Sequence, residues 1–266
     1  MTTLNQTGTA VITGASTGIG AIYAERLARR GYDLLLVARS ADKLDALATG
    51  LARETGRAVA TVTADLSKAD DVRALEQRLR TETSITLLVN NAGVGATASL
   101  IDSSADDLEH MLQLNVLSLT RLTHAVAPGM VARGAGAIIN ISSIAAVAPE
   151  LLNGTYGGSK AYVLALTQSL HHELKDKGIR VQAVLPGAIA TPFWDRAGVP
   201  VSHLPAAIVM TPENLVDAAL AGFDQGEVVT VPSLPEAADW DRFETARLAL
   251  GPNLSHTKPA ARYLVA

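Results

Sequence analysis

Short apolar runs alternate with longer stretches of helical periodicity along most of this chain, and no other feature restricts its fold so tightly. Runs at 9–12, 33–38, 58–63, 85–89, 136–141 and 179–185 read as strands, and helices are predicted over 21–30, 40–54, 68–80, 106–133 and 155–177. The run 33–38 (DLLLVA) is apolar at almost every position, as a strand buried on both faces must be. Leu44, Leu47 and Leu51 recur at the spacing of one helix face. Such alternation builds an α/β fold, a doubly wound parallel sheet with helices on both faces and a ligand crevice at the carboxyl ends of the strands. A last run at 227–231 (EVVTV) brings the expected Rossmann-type sheet to about seven strands.

The polar and glycine-rich segments fall at those carboxyl ends. The first strand leads into Thr13-Gly14-Ala15-Ser16-Thr17-Gly18-Ile19-Gly20 and then into a helix. Such a turn needs glycine because a Cβ would keep the backbone away from a pyrophosphate. The helix start then offers that group free N–H donors and a positive dipole end. The second strand ends at Ala38-Arg39-Ser40, about 20 residues after the turn, where dinucleotide folds read the adenosine ribose. An acid there would bond the 2′-hydroxyl of NAD and repel a 2′-phosphate. Ala38 leaves space and Arg39 supplies a fork suited to phosphate, so the expected cofactor is NADP(H). The third strand ends at Asp65-Leu66, within reach of an adenine, and the fourth at Asn90-Asn91-Ala92-Gly93.

The fifth strand delivers Ser142 and Ser143, and the next helix carries Tyr156 and Lys160, four residues apart and hence on one face. A free phenol has a pKa of about 10, and a neighbouring ammonium favours the phenolate, so the pair is expected to exchange protons as a general acid or base. Ser143 would add a donor to a carbonyl oxygen if the chain returns it to Tyr156. The sixth strand stops at Pro186-Gly187.

With 266 residues and 48% apolar composition the chain can bury a sizeable core, and no linker divides it, so one domain over 1–266 is expected. Charged residues make up 18% and the net charge is −4, with both signs scattered, which argues against a nucleic-acid partner or a polybasic membrane patch. The absence of cysteine excludes disulfides and thiolate metal sites. His171 and His172 face different directions on a helix, and no metal site is expected. The first ten residues lack the pattern of a signal peptide, and no apolar stretch reaches the roughly 18 residues of a membrane span, so a cytoplasmic protein is expected.

In this order the glycine turn, Asp65, Asn90-Asn91-Ala92-Gly93, Asn115, Ser143, Tyr156-x-x-x-Lys160 and Pro186-Gly187-x-x-x-Thr191 resemble the short-chain dehydrogenase/reductase family, over roughly residues 9 to 191. The separation of Ser143 from Tyr156 also matches that family and selects Ser143 over Ser142. The resemblance implies hydride transfer between NADP(H) and a carbonyl or secondary alcohol. Tyr156 would be the proton donor or acceptor, Ser143 the partner of the reacting oxygen, and Lys160 the residue holding the nicotinamide ribose. Asn115 would fix a water beside Lys160. Gly14, Gly18 and Gly20, with Thr17 and Ile19, would cradle the pyrophosphate, and Ser16 and Arg39 would approach the 2′-phosphate. Asp65 and Leu66 would lie near adenine, Asn91, Ala92 and Gly93 along the adenosine, and Pro186, Gly187, Ile189 and Thr191 near the carboxamide end.

Beyond Thr191 the resemblance is to a variable loop, here 192–210, that closes over substrate. All the Trp and Phe residues of the chain follow Thr191: Phe193, Trp194, Phe223, Trp240 and Phe243, joined by Tyr263. An apolar pocket around Phe193 and Trp194 is therefore expected, for a small or medium substrate. Packing of those rings within the C-terminal region or on a second subunit is an equal alternative. Arg196 and His203 could instead select an acidic substrate. The C-terminal extension 232–266 contains a helix near 236–250, and the chain's long apolar helices, with the resemblance, suit a homodimer or homotetramer. A different class of function is a nucleotide sensor or partner-binding protein on the same fold without significant turnover.

Overall fold

The computed structural model describes residues 7–264. The chain divides into two compact units, Met1–Pro232 and Ser233–Ala266. In the first, β1 (Thr9–Thr13), β2 (Asp33–Ala38), β3 (Val59–Thr63), β4 (Ile85–Asn90), β5 (Gly136–Ile141) and β6 (Ile179–Val184) are the main strands. Between them run α1 (Gly18–Arg29), α2 (Ala41–Thr55), α3 (Ala69–Thr81), α4 (Ala105–Leu112), α5 (Leu119–Arg133) and α6 (Gly154–Leu174). The loop after β6 adds β7 (Ala188–Ile189), α7 (Phe193–Ala197) and β8 (Val209–Met210), followed by α8 (Pro212–Gln225) and β9 (Val229–Thr230).

The sheet has seven strands in the order β3-β2-β1-β4-β5-β6-β9, and every pairing in it is parallel. The chain winds outward from β1 to β3, then returns to lay β4 on the other side of β1. That reversal opens a crevice at the carboxyl ends of β1 and β4.

Residues of one strand supply two cores because successive side chains point to opposite faces. Ala10, Ile12, Leu34 and Leu36 pack with Leu27 of α1, Leu44 of α2 and Leu220 of α8. Val11, Leu35, Val37 and Leu88 pack on the other face with Leu75 of α3, Leu122 of α5 and Leu174 of α6. Each such side chain contributes roughly 1.5–3 kcal/mol when fully buried. A buried polar chain holds α6 in place: Asn90 Nδ2 donates to Asn140 Oδ1 at 2.8 Å and to Thr123 Oγ1 at 3.0 Å, and Asn140 Nδ2 donates to Thr167 Oγ1 at 2.9 Å.

Four expectations are corrected. The single helix over 106–133 is interrupted by a π-helical turn, Gln113–Ser118, between α4 and α5. α1 begins at Gly18 rather than at Ala21, so two turn glycines lie in its first turn. The helix expected to reach Lys177 ends at Leu174, and a 3-10 turn, Lys175–Lys177, leads to Gly178 with φ +76°. The last strand is only two residues long. α8 was not foreseen, although Thr211 caps it through Asn214 N and Gly226 ends it with φ +85°.

In the second unit α9 (Ala237–Ala249) has no buried residue, and Trp240 and Phe243 stack on one another with ring centroids 5.2 Å apart. Among the described residues no helix is long and apolar enough to cross a membrane.

Candidate active site

The crevice is a cleft of about 600 Å³ in the first unit, and its wall begins at the glycine turn. Thr13 and Asn91 join the ends of β1 and β4. Thr13 Oγ1 accepts the N–H groups of Asn91 and Ala92, each at 3.0 Å, and Asn91 Nδ2 donates to the carbonyls of Thr13 at 2.8 Å and Gly14 at 3.2 Å. Gly18 has φ +58°, and a Cβ on it would lie 3.0 Å from Thr191 Cγ2 across the cleft. No acidic residue occupies the first turn of α1 and Thr17 makes no side-chain cap, so the N–H donors there face the cleft without competition.

Gly20 does not line the cleft but lies under the turn. A Cβ there would run into the Gly14 carbonyl and lie 2.6 Å from Asn91 Nδ2. Gly20→Ala is therefore expected to cost about 1–3 kcal/mol of stability, measured as a lower urea midpoint at an unchanged slope.

Further along the wall stand Ser16, Ile19, Arg39, Asp65, Leu66, Ala92 and Gly93. Arg39 makes no hydrogen bond or ion pair with the described residues, and acts on Asp65 through space. Burial pushes the Asp65 carboxyl up. The Ser67 hydroxyl and amide, with Arg39 and Lys68 nearby, outweigh that and hold it below the usual carboxylate range.

At the other end β5 delivers Ser143 and α6 delivers Tyr156 and Lys160, all buried and all lining the cleft. Ser143 acts on the Tyr156 hydroxyl and favours its phenolate, and Ser143 Oγ accepts the Ala145 N–H at 3.1 Å. Lys160 Nζ donates to the Ile141 carbonyl at 2.9 Å and sits 5.7 Å from the centroid of the Tyr156 ring. Ser142, the rejected serine, donates to the Lys160 carbonyl at 2.8 Å and so anchors the helix instead.

The acidified phenol expected from the Tyr-Lys spacing is not what the surroundings produce. Burial pushes the Tyr156 pKa up to about 12, and Ser143 only partly opposes it. Burial likewise pulls Lys160 down to about 8. The Lys160 ammonium, 5.7 Å from the ring centroid, does not offset that burial.

Asn115 lies behind the wall in the π-helical turn. Its Oδ1 accepts the Val94 N–H at 2.9 Å, and its Nδ2 donates to the Val94 carbonyl at 2.8 Å and to Ser159 Oγ at 3.1 Å. Those bonds go to Val94 and Ser159 rather than to Lys160. A Cβ on Gly93 would lie 3.1 Å from Asn115 Oδ1 and 3.6 Å from Lys160 Nζ, so both side chains border the space beside this glycine.

The carboxamide-end residues Pro186, Gly187, Ile189 and Thr191 line the cleft where the loop departs. Phe193 and Trp194 follow on its apolar side, as expected. Phe223 is buried in the core on α8, and Trp240 and Phe243 belong to the second unit. Arg196 stands on the rim, whereas His203 is not part of the lining.

Two residues escaped the sequence reading. Asn153 caps α6 by accepting from Thr155 N at 2.9 Å and Tyr156 N at 3.4 Å, and its Nδ2 donates to the Ala98 carbonyl at 2.7 Å. An asparagine three residues before a helical tyrosine is a capping signal that could have been read. Thr97 bonds the Ala197 carbonyl through its N–H at 3.1 Å and its hydroxyl at 2.6 Å, tying the loop to the segment after β4. Nothing in sequence pairs those positions.

The family model for short chain dehydrogenase matches residues 8–198. The chain is 38% identical over 185 residues to hydroxysteroid dehydrogenase-like protein 1 of Gallus gallus, covering 68% of this chain and 56% of that protein. It is 36% identical over 215 residues to very-long-chain 3-oxoacyl-CoA reductase of Anas platyrhynchos, covering 79% and 67%. It therefore spans only 56% and 67% of the length of these two relatives. Among solved structures, a short-chain dehydrogenase from Sphingobium yanoikuyae in complex with NADPH is 49% identical, with 97% and 100% of the two chains covered and a TM-score of 0.94. A bulky-bulky ketone specific alcohol dehydrogenase from Comamonas testosteroni is 43% identical, with 98% and 100% covered and a TM-score of 0.90.

Proposed function

This chain belongs to the short-chain dehydrogenase family, and from that premise we propose that it is an NADP(H)-dependent oxidoreductase that reduces an apolar ketone or aldehyde. The observation that carries this reading is the convergence of buried Ser143, Tyr156 and Lys160 on one cleft.

The residues present fit the dinucleotide. Gly18 leaves a cradle that a Cβ would fill, the α1 donors are unopposed by acid, and Arg39 is without a hydrogen-bonded partner among the described residues. Gly14, Gly18 and the α1 N-terminus would hold the pyrophosphate, Ser16 and Arg39 the 2′-phosphate, Asp65 and Leu66 the adenine, and Lys160 the nicotinamide ribose. When bound, the reduced nicotinamide supplies a hydride to the carbonyl carbon.

As charge develops on the carbonyl oxygen, Ser143 donates a hydrogen bond to it and Tyr156 gives up its proton. A phenol raised to about 12 is protonated throughout the neutral range, and an alkoxide is far more basic than a phenolate, so this transfer runs downhill. The buried side chains reprotonate through the neighbourhood of Lys160. Asn115 acts there by fixing Val94 and Ser159 around the lysine.

The loop 192–210 forms the substrate side of one catalytic domain. Phe193, Trp194, Ile144 and Leu152 support an apolar substrate, as does the likeness to an alcohol dehydrogenase specific for bulky-bulky ketones. Exposed Leu112, Leu117 and Tyr162 support a homodimer or homotetramer.

Arg39→Ala is expected to weaken NADPH binding about 10- to 100-fold, the value of charge-assisted hydrogen bonds, while NADH affinity changes little. Calorimetric titration with each nucleotide checks it, and equal losses would contradict a phosphate contact. The function itself is tested by following NADPH oxidation across a panel of ketones and aldehydes. Binding without turnover on any of them would favour a nucleotide sensor.

A further inference from the structure

The apolar end of the cleft is closed by a ring whose position depends on a missing side chain. The Phe193 ring lies 5.9 Å from the Tyr156 ring, centroid to centroid and tilted 52°. Its other neighbour is Trp194, at 5.6 Å and 87°, an edge contact. Trp194 is itself fixed, buried and donating through Nε1 to the Ile189 carbonyl at 2.9 Å.

Behind the Phe193 ring is Gly95. A Cβ at that position would run into Phe193 Cζ and lie 3.0 Å from Cε2 and 3.1 Å from Cε1, so the ring rests directly on the glycine backbone. Two residues further on, Thr97 holds the Ala197 carbonyl with both its N–H and its hydroxyl. The seat, Gly95, and the helix that carries the ring, α7, are thereby bonded to each other. The ring is a fixed flat wall beside the phenol, not a loose loop side chain. Around Tyr156 the other apolar neighbours, Met111, Ala145, Val94, Ala96 and Leu152, carry no ring.

We propose that Phe193, seated on Gly95, is the residue that selects the substrate, favouring carbonyl compounds with a flat, aryl-type group on the Phe193 side of the reacting carbon. The proposal rests on the reading of this cleft as the site of carbonyl reduction. A planar ring stacks offset or edge-on against Phe193, where a puckered alicyclic ring of the same size gains contact area alone. The aromatic pairing is worth about 2- to 10-fold in selectivity.

The test uses matched ketones, acetophenone and cyclohexyl methyl ketone, and the ratio of their kcat/KM values. Intrinsic reactivity differs between the two but cancels when a variant's ratio is divided by that of the wild type. Phe193→Leu keeps an apolar side chain and removes the ring. It is expected to lower the aryl-to-cyclohexyl ratio about 2- to 10-fold while NADPH affinity stays unchanged. Gly95→Ala, which pushes the ring off its seat, is expected to lower kcat/KM for acetophenone, and Gly95→Ala added to Phe193→Ala is expected to have no further effect, because the clash has lost its partner.

A ratio unchanged in Phe193→Leu, with both ketones still reduced, overturns the proposal. So does an equal loss from Gly95→Ala with and without the phenyl ring. Where Gly95→Ala does not fold, the Phe193→Leu ratio decides alone. Absence of NADPH oxidation by the wild type with every carbonyl compound sinks the underlying reading instead, and the two failures are thus distinct.

Discussion

Replacing Tyr156 with phenylalanine is expected to lower kcat for carbonyl reduction by about 10²- to 10⁴-fold, the range for removing a positioned general acid. NADPH affinity should be nearly unchanged, because the change deletes one oxygen and leaves the ring between Lys160 and Phe193. The two contacts of that ring, at 5.7 Å to Lys160 Nζ and 5.9 Å to the Phe193 centroid, involve its carbon atoms. Fold stability should survive as well, since the lost hydroxyl is a polar group held in a buried place. Single-turnover kinetics with a saturating ketone separates the two quantities. A fall in nucleotide affinity that accounts for the whole loss of rate would remove Tyr156 from the chemistry.

Ser143→Ala is the second large effect, with an expected loss of about 10²- to 10³-fold in kcat, as for other single donors to a developing oxyanion. It has a signature that a structural defect would not give. Ser143 opposes the upward push of burial on Tyr156, so its removal raises the phenol's pKa further from about 12. Alcohol oxidation requires the phenolate, and its activity at any pH below that value should fall more than carbonyl reduction does. Reduction requires the phenol and keeps its pH profile over the neutral range. Oxidation and reduction rates measured on one variant across pH read the difference. A parallel loss in both directions at every pH would mean that Ser143 does not act on the phenolic proton.

Most of the fold was legible because parallel strands buried on both faces have little freedom of composition. Asp33–Ala38 could be read at a glance for that reason, and its burial pattern is interior at every position but the first. The short edge strand Val229–Thr230 was overextended, because EVVTV has strand composition but only two of its residues find a partner, Ala183 and Val184. The π-helical turn at Asn115 left no trace in the apolar periodicity. A wider turn keeps helical composition, and its purpose, carrying an amide to Val94, is a long-range fact.

The site shows the same division. Most of the cleft-lining residues that were found sit at a strand end, where the chain order already fixes what can meet, and Tyr156 and Lys160 were found by their spacing on α6. The electrostatics of Tyr156 were misjudged because a spacing of four residues reports proximity and says nothing of burial, which here dominates. Thr97 was missed because its partner, Ala197, is distant in sequence and is bonded through its backbone carbonyl, which no side-chain pattern reveals, whereas Asn153 left a local capping signal and only its bond to the Ala98 carbonyl left none.

Transfer of hydrogen from C4 of the nicotinamide to a carbonyl carbon is read most directly with NADPH dideuterated at C4 and an apolar ketone, followed by mass spectrometry of the alcohol. The expected result is one deuterium at the carbinol carbon, formed by the wild type and almost absent with Tyr156→Phe. NADPH bound by the protein, with no labelled alcohol from any ketone or aldehyde tried, would contradict it.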